Sequence, residues 1–534
     1  MPTRHDPDRI PVVVAAGQAI ERDDLVTPMD LMVRAADAAL GQAPGLRRLV
    51  DRVSVVRTLG HVGPAPASDL AERLGLGRGD GGRHPVREVS SIGGNTPQWL
   101  VNRAASAIAA GELTATLIVG AEALRSSRAR RDAGGPSRSR PPDAGSDRPA
   151  DPEVGDDRPG VGPAEGAIGL ILPVHVYPMI ESAMAARAGH DGPTRRRAIG
   201  ELFAPFTEVA AANPFAWFPE RHRPEAIATP SPDNRVVAEP YTKRMAAFLG
   251  SDQGAALVLC SLAAARRAGV ADRAVFVWAG AEANDVWFPV SRPDPARSPA
   301  IAAAGAALFA AASEAAGSGA GAGGIGVDDV GLVDLYSCFP SAVEQAVEAL
   351  GVAPDDPRGL TVTGGLPYFG GPGNNYTTHA IASLTDRLRD GDHGAAGGPR
   401  FGLATALGWF ITKHALGLYA TEPPPGGFRR ADTGVAQKEI DATAADVAAD
   451  VDRPTTATVV AATVVRDADS GKDGGDGIGA ATGAPVFARL PDGRHMALTP
   501  ADDAVLADVG DRDVTTLVGS ELLVEPGVPR YRLA

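Results

Sequence analysis

Short β-branched runs alternate with alanine-rich helical stretches through roughly the first 420 residues, and this alternation limits the chain more than any other feature. A run at 11–15 precedes a helical stretch at 28–40, one at 117–120 follows a helical stretch at 97–110, and one at 332–336 precedes 341–350. Strands and one-sided helices in this order bury their apolar faces only by stacking, so the expected class is α/β layers. The helix beginning near Pro97 is the best marked. Thr96 stands at the cap position, Pro97 suits the first helical turn and Gly111 suits the stop. In the 341–350 stretch, Val343, Ala346, Val347 and Leu350 fall on one face, as in a helix packed on a core.

Two breaks interrupt the pattern. Between 124 and 164 the composition changes to Arg, Asp, Pro, Gly and Ser, which cannot bury a core and predicts a mobile insertion over about 125–164. A second break, EPPPGG, falls at 422–427. Beyond it come strand-like runs at 457–465, 485–490, 494–498, 522–524 and 531–533, separated by turn-rich connections, which predicts a small β-barrel.

Composition narrows the partners. The net charge is −14, which disfavours nucleic acid or an anionic membrane as the main partner, because both are held by clustered cations. The two cysteines, Cys260 and Cys338, are too few for a disulfide framework or a cysteine-built zinc site, so a reducing, cytoplasmic setting and no metal are expected. The longest nearly uncharged stretch, 299–326, is mostly alanine and glycine and reads as a small-residue helix plus linker rather than a membrane span. No Walker loop, G-x-S-x-G elbow, H-E-x-x-H or paired C-x-x-C occurs.

What remains is a set of glycine-rich turns beside a few reactive side chains. The stretch GGLPYFGGPGNN at 364–375 includes Gly370, Gly371, Pro372 and Asn374. It is either a tight structural loop or a loop offering amide donors to a substrate oxyanion. Gly93, Gly94 and Asn95 precede the helix at Pro97, where free N–H groups favour an anion. Cys338, in DLYSCFPS, lies between a predicted strand and a helix, whereas Cys260 has the surroundings of a core residue. His379 and His414 follow glycine-rich turns, and their convergence with Cys338 would make an acid/base or nucleophilic group.

The ordered series PVVVAAGQ, GGNTPQWLVNRAASAIAAGELTATLIVGAEAL, DQGAALVLCS, GLVDLYSCFPSAVEQAVEALG, GGLPYFGGPG and ATALGWFITKHALGLY resembles the thiolase superfamily over residues 8–422, closest to its sterol-carrier-type members. The whole chain resembles the actinobacterial thiolase-like type 1 group, often labelled acetyl-CoA acetyltransferase. The resemblance implies a duplicated five-layered α-β-α-β-α thiolase fold, with halves at 1–272 and 273–424, and an additional OB-like β domain at 425–534. It implies a coenzyme A thioester as substrate or ligand and no other cofactor. It also implies losses of catalytic chemistry. Counted back from Gly111, the family's nucleophilic cysteine falls at Gly94. In the His-Asp-Cys-Phe motif the histidine has become Tyr336, while Cys338 and Phe339 remain. The Gly-His-Pro histidine is Gly371, and the late cysteine is Ala406. Three functions follow as alternatives: a rebuilt acyltransferase site using Cys338 with His379 or His414, a retro-aldol C–C lyase using Tyr336, or acyl-CoA binding without turnover. Arginines within 221–244 are available for phosphates, and Trp217 and Phe218 for packing on the ligand. Thiolases form dimers or tetramers, but the polar insertion and the extra domain leave both monomer and homodimer open.

Overall fold

The computed structural model describes residues 6–77, 84–134, 148–317, 324–391, 401–469 and 476–534. Five strands of the first half, Pro11–Ile20, Arg52–Val55, Val86–Ser90, Ala115–Ala123 and Asp252–Ser261, lie across the sheet in the order third, second, fourth, fifth, first. Val275–Asn284, Val330–Asp334, Phe401–Gly408 and Lys413–Ala420 repeat that order without the third strand. Equivalent neighbours also run in equivalent senses: the second and fourth strands are parallel, and the fourth with the fifth and the fifth with the first are antiparallel. The two first strands meet antiparallel, Val12 opposite Phe276 and Val13 opposite Val275, and join the halves into one eleven-stranded sheet. The fold is therefore an internal duplication.

Helix positions repeat as well. Pro28–Gln42 covers the outer face of the first half, and Pro299–Ala316 covers that of the second. Thr96–Ala110 and Tyr376–Arg389 lie between the halves and touch strands of both, which completes a five-layered stack. A helix so placed must be buried nearly all round, and Gln98 and Asn102 are accordingly fully buried and bonded to each other at 2.8 Å. Gly111 ends this helix in the left-handed region at φ 78°, as the sequence predicts. Thr96 differs from expectation: its hydroxyl donates back to the Gly93 carbonyl at 2.8 Å instead of accepting from the helix. Pro299–Ala316 is long and apolar enough to cross a bilayer by length and composition, yet half of it is buried and it packs against Val275–Asn284 and Lys413–Ala420 as an outer-layer helix.

Part of the polar stretch predicted to be mobile, 135–147, lies outside the described residues. Its described flanks are held by their charges. The Arg125 guanidinium and the Ser126 hydroxyl bind the buried Asp252 carboxylate, the Asp151 carboxylate accepts from the Ala67 and Ser68 amides at the start of helix Pro66–Arg73, and Glu153–Val154 pairs with the edge strand Val86–Ser90. Downstream of the second break, Arg429–Arg430 still pairs with Val275–Asn284. Thr455–Ala462, Val486–Arg489, His495–Pro500, Glu521–Val524 and Arg530–Leu533 then form a closed barrel on the five predicted runs. The barrel closes in the order first, second, third, fifth, fourth, with the third and fifth strands parallel.

Candidate functional site

A cavity of about 270 Å³ opens between the Ile92–Gly94 loop, the start of helix Pro173–Ala188, the segment Tyr336–Phe339 and the turn after strand Phe401–Gly408. Among the described residues, no charged side chain lines it. Tyr336 leaves strand Val330–Asp334 with its amide bonded to Thr405 Oγ1 at 2.8 Å, and its ring meets Tyr376 edge-on at 5.4 Å. Its hydroxyl lies against Gly94: a Cβ built on Gly94 would overlap the Tyr336 hydroxyl and come within 2.5 Å of the Leu407 carbonyl oxygen. The phenol therefore occupies the space in which a side chain at position 94 would stand.

Cys338 and Phe339 line the same cavity. Burial pushes the Cys338 thiol up to about 12, with the neighbouring Tyr177 hydroxyl offsetting a smaller part, so at neutral pH the sulfur is protonated and can donate a proton but attacks poorly. Tyr177 and Tyr336 are also raised well above the ordinary tyrosine value, burial being the main cause and Cys338 the next. Tyr177 is central to the wall. Its hydroxyl donates to the Trp409 carbonyl at 2.7 Å and accepts from the Ile411 amide at 3.3 Å, while its ring stacks on Phe339 at 4.3 Å. The turn it holds is strained, since Trp409 and Ile411 both have positive φ, 58° and 55°, which is costly for a β-branched residue.

The floor by Gly94 is fixed from two sides. Asn374 accepts from the Gly93 amide at 3.1 Å and donates to the Arg57 carbonyl at 2.7 Å. Lys413, almost fully buried, donates to the carbonyls of Ile92 at 2.6 Å and Asp156 at 3.2 Å, and burial lowers its amine to about 8. Asn95 lies behind this floor, its buried Oδ1 without a hydrogen-bond partner among the described residues.

The remaining predicted residues do not converge on Cys338. His379 faces Gln18 at 2.8 Å and meets Phe369 edge-on at 5.1 Å. Burial lowers it to about 3, so it is a neutral core histidine away from the cavity wall. His414 points to the buried Asp285, with Nε2 at 3.1 Å from Oδ2, and with Ala406 and Tyr336 it borders a separate space of only about 10 Å³, room for a single water. Of the two readings of the glycine loop, a tight structural turn or a set of amide donors, its hydrogen bonds match the first. Gly370, at φ 109°, leaves no room for a Cβ beside Gln253, whose amide donates to the Phe215 and Phe369 carbonyls at 2.9 Å. The Gly371 amide is taken by the Phe248 carbonyl at 2.8 Å and the Gly373 amide by Gly371, so Pro372 and its neighbours wrap protein rather than ligand. Of the loop, Leu366, Gly373 and Asn374 reach the cavity.

A second hollow of about 210 Å³ lies across the segment 246–249. Ala246 and Phe248 face it, while Ala247 and Leu249 face the apolar cavity. Lys243 and Arg244 line it together with Glu220 and Asp233, Phe218 packs edge-on against Phe248 at 4.7 Å, and Trp217 stacks beyond at 6.5 Å. Sequence reading missed Tyr177, Trp409 and Phe410. Tyr177 sits in a helix that is apolar nearly all round and reads as core, and the only outward signal of the turn is the aromatic pair after Gly408.

Two matching α/β halves stacked on a shared pair of central helices define a thiolase-like protein. No protein-family model and no curated protein matches the sequence. Among solved structures, a monomeric SCP2-thiolase-like protein type 1 from Mycobacterium smegmatis superposes with a TM-score of 0.77 at 30% identity, over 99% of this chain and 100% of that one. The chain belongs to the SCP2-thiolase-like family. An Ltp2–ChsH2(DUF35) aldolase matches at 19% identity and TM-score 0.57, over 78% of this chain and 99% of that one. Human mitochondrial 3-ketoacyl-CoA thiolase in complex with CoA matches at 15% and 0.53, over 79% and 100%. These two share the fold.

Proposed function

We propose that the protein binds an acyl-CoA thioester without forming an acyl-enzyme, the acyl group in the apolar cavity and the phosphates toward Lys243 and Arg244. The observation that carries this reading is the Tyr336 phenol standing in the side-chain space of Gly94, in a cavity that has no charged wall residue. An acyl-enzyme needs an ionisable nucleophile at the thioester carbon, and the Cys338 thiol in the cavity is held protonated by its burial. Support for an acyl ligand comes from the mouth, where Leu59, Ile171, Leu172 and Leu249 are 42 to 54% exposed although large and apolar. The CoA-bound thiolase of the same fold and the mixed hollow beside the cavity favour coenzyme A as carrier. We read the barrel as OB-like from its strand order and parallel closure. A cytoplasmic monomer is favoured by the two free thiols, by the sheet edge covered by Glu153–Val154, and by a similar protein described as monomeric.

Calorimetry and intact-protein mass with acyl-CoA thioesters of increasing chain length test this. Saturable binding that tightens with chain length, roughly fourfold per added methylene at about 0.8 kcal/mol each, with unchanged mass and no CoA release, is expected. A mass adduct that disappears in Cys338→Ser would establish acyl transfer instead, and absence of binding would end the acyl-CoA reading.

A second reading, retro-aldol cleavage of a β-hydroxyacyl-CoA, is favoured by two neutral proton carriers, Tyr336 and Cys338, beside the same empty space. As the Cα–Cβ bond breaks, the β-hydroxyl proton would pass to one of these two groups while a proton already held by the pair moves to the enolate Cα, so that an aldehyde and an acyl-CoA leave and both residues end neutral. Aldehyde release from a β-hydroxyacyl-CoA, lost in Tyr336→Phe, would select it.

A further inference from the structure

The C-terminal barrel is seated on the body at the helix whose first turns line the cavity. Helix Pro173–Ala188 presents Pro173, Val174 and Tyr177 to the cavity, and further along it the Ser182 hydroxyl accepts from the Ala462 amide of the barrel's first strand at 3.0 Å. The Asp513 carboxylate, from the barrel, accepts from the Gly192 amide at the start of the next helix at 2.7 Å. His495 of the barrel bonds the Val290 carbonyl at 2.9 Å, and Val465 pairs with Ala238. Ala461, Phe487 and Ala497 are buried in the main core rather than in the barrel's own.

At the other end of this support is the turn between strands Phe401–Gly408 and Lys413–Ala420, closed by a single backbone bond of its own, from the Thr412 amide to the Gly408 carbonyl at 3.2 Å. Two non-glycine residues with positive φ persist only where their surroundings over-determine them. The turn receives a hydrogen bond from Tyr177 at Trp409 and gives one at Ile411. It is further tied at Thr412, whose hydroxyl accepts from the buried Arg292 guanidinium at 2.9 Å and whose carbonyl accepts from the Asp285 amide at 2.8 Å. Trp409 and Phe410 are cavity wall.

We propose that Tyr177 is the positioning residue of the cavity and that the barrel is its abutment: the seated barrel fixes helix Pro173–Ala188, the helix fixes Tyr177, and Tyr177 holds the Trp409–Ile411 turn in the shape that makes the wall. The C-terminal domain thereby sets the affinity of a cavity it does not line. This rests on the cavity alone and holds whichever apolar ligand fills it.

The test uses the full chain, the uncharged apolar dye Nile red as cavity probe, and amide hydrogen exchange. Tyr177→Phe keeps the ring and removes both hydroxyl bonds, while Ser182→Val with Asp513→Ala weakens the barrel seat without touching the cavity. Both proteins are expected to bind Nile red about tenfold more weakly and to exchange the amides of Ile411 and Thr412 about tenfold faster, as the loss of one or two buried hydrogen bonds allows. Wild-type dye affinity and wild-type exchange at 411–412 in Tyr177→Phe would overturn the proposal. So would a seat variant that exchanges faster over 455–462 but is unchanged at 411–412.

Discussion

At position 94 the absent side chain and the Tyr336 phenol are complementary, because the hydroxyl fills the space that a side chain there would fill. Placing a cysteine there should therefore cost stability. Gly94→Cys is expected to lose about 2 to 3 kcal/mol through overpacking against the phenol and the Leu407 carbonyl, and to regain part of it when combined with Tyr336→Ala. Urea unfolding of the two proteins checks this; an unaffected single variant would mean that the phenol moves aside freely. Both positions stand out in the sequence, Gly94 by its distance from the helix stop at Gly111 and Tyr336 by its place before Cys338, but their contact does not. Tyr177 does not stand out either, because its partners are two backbone groups more than 230 residues away, and backbone groups leave no trace in side-chain pattern. The two histidines show the converse: each stands in a suggestive stretch, yet Gln18 claims one and Asp285 the other.

Among the elements, the alternation of strand and helix was readable because each short run has a burial pattern of its own. So were the five barrel strands, bracketed by turn residues. The repeated strand order was not, since order across a sheet is decided by which edges meet. Nor was the role of the polar stretch after Leu124, where single charges act on distant backbone. Asp151 is the clearest case. It serves helix Pro66–Arg73 as a cap supplied from about 80 residues downstream, with its carboxylate 2.7 Å from the Ala67 amide and 3.1 Å from that of Ser68. Asp151→Ala is expected to lower the unfolding free energy by about 1 kcal/mol, the usual worth of a cap, and to speed amide exchange at Ala67 and Ser68 while leaving exchange at 96–110 unchanged. Equal acceleration at both helices would show that the stretch supports the half as a whole rather than this one helix end.

Over the whole molecule, the break at EPPPGG reads as a linker between independent units, yet the chain beyond it first adds a strand to the large sheet and only then builds the barrel. The barrel has a core of its own around Met496, Leu498 and Tyr531, but its other face contributes Phe487, fully buried, to the core of the body. Undocking would expose that phenylalanine together with the alanines beside it, and would leave the Ala462 and Gly192 amides without their acceptors. Burying a large side chain is worth about 1.5 to 3 kcal/mol, and each orphaned buried group costs about 1 to 3 kcal/mol. A barrel of about 80 residues has a stability of the same order as that sum, so it gains little by unfolding later than the body does. Body and barrel are therefore expected to unfold in one calorimetric transition, with calorimetric and van't Hoff enthalpies in a ratio of about one. Phe487→Ala should separate them, giving an earlier transition for the barrel. Two resolved transitions in the unmodified protein would show that the shared core does not couple the domains, and the support of the cavity wall by the barrel would then have to rest on the polar seat alone.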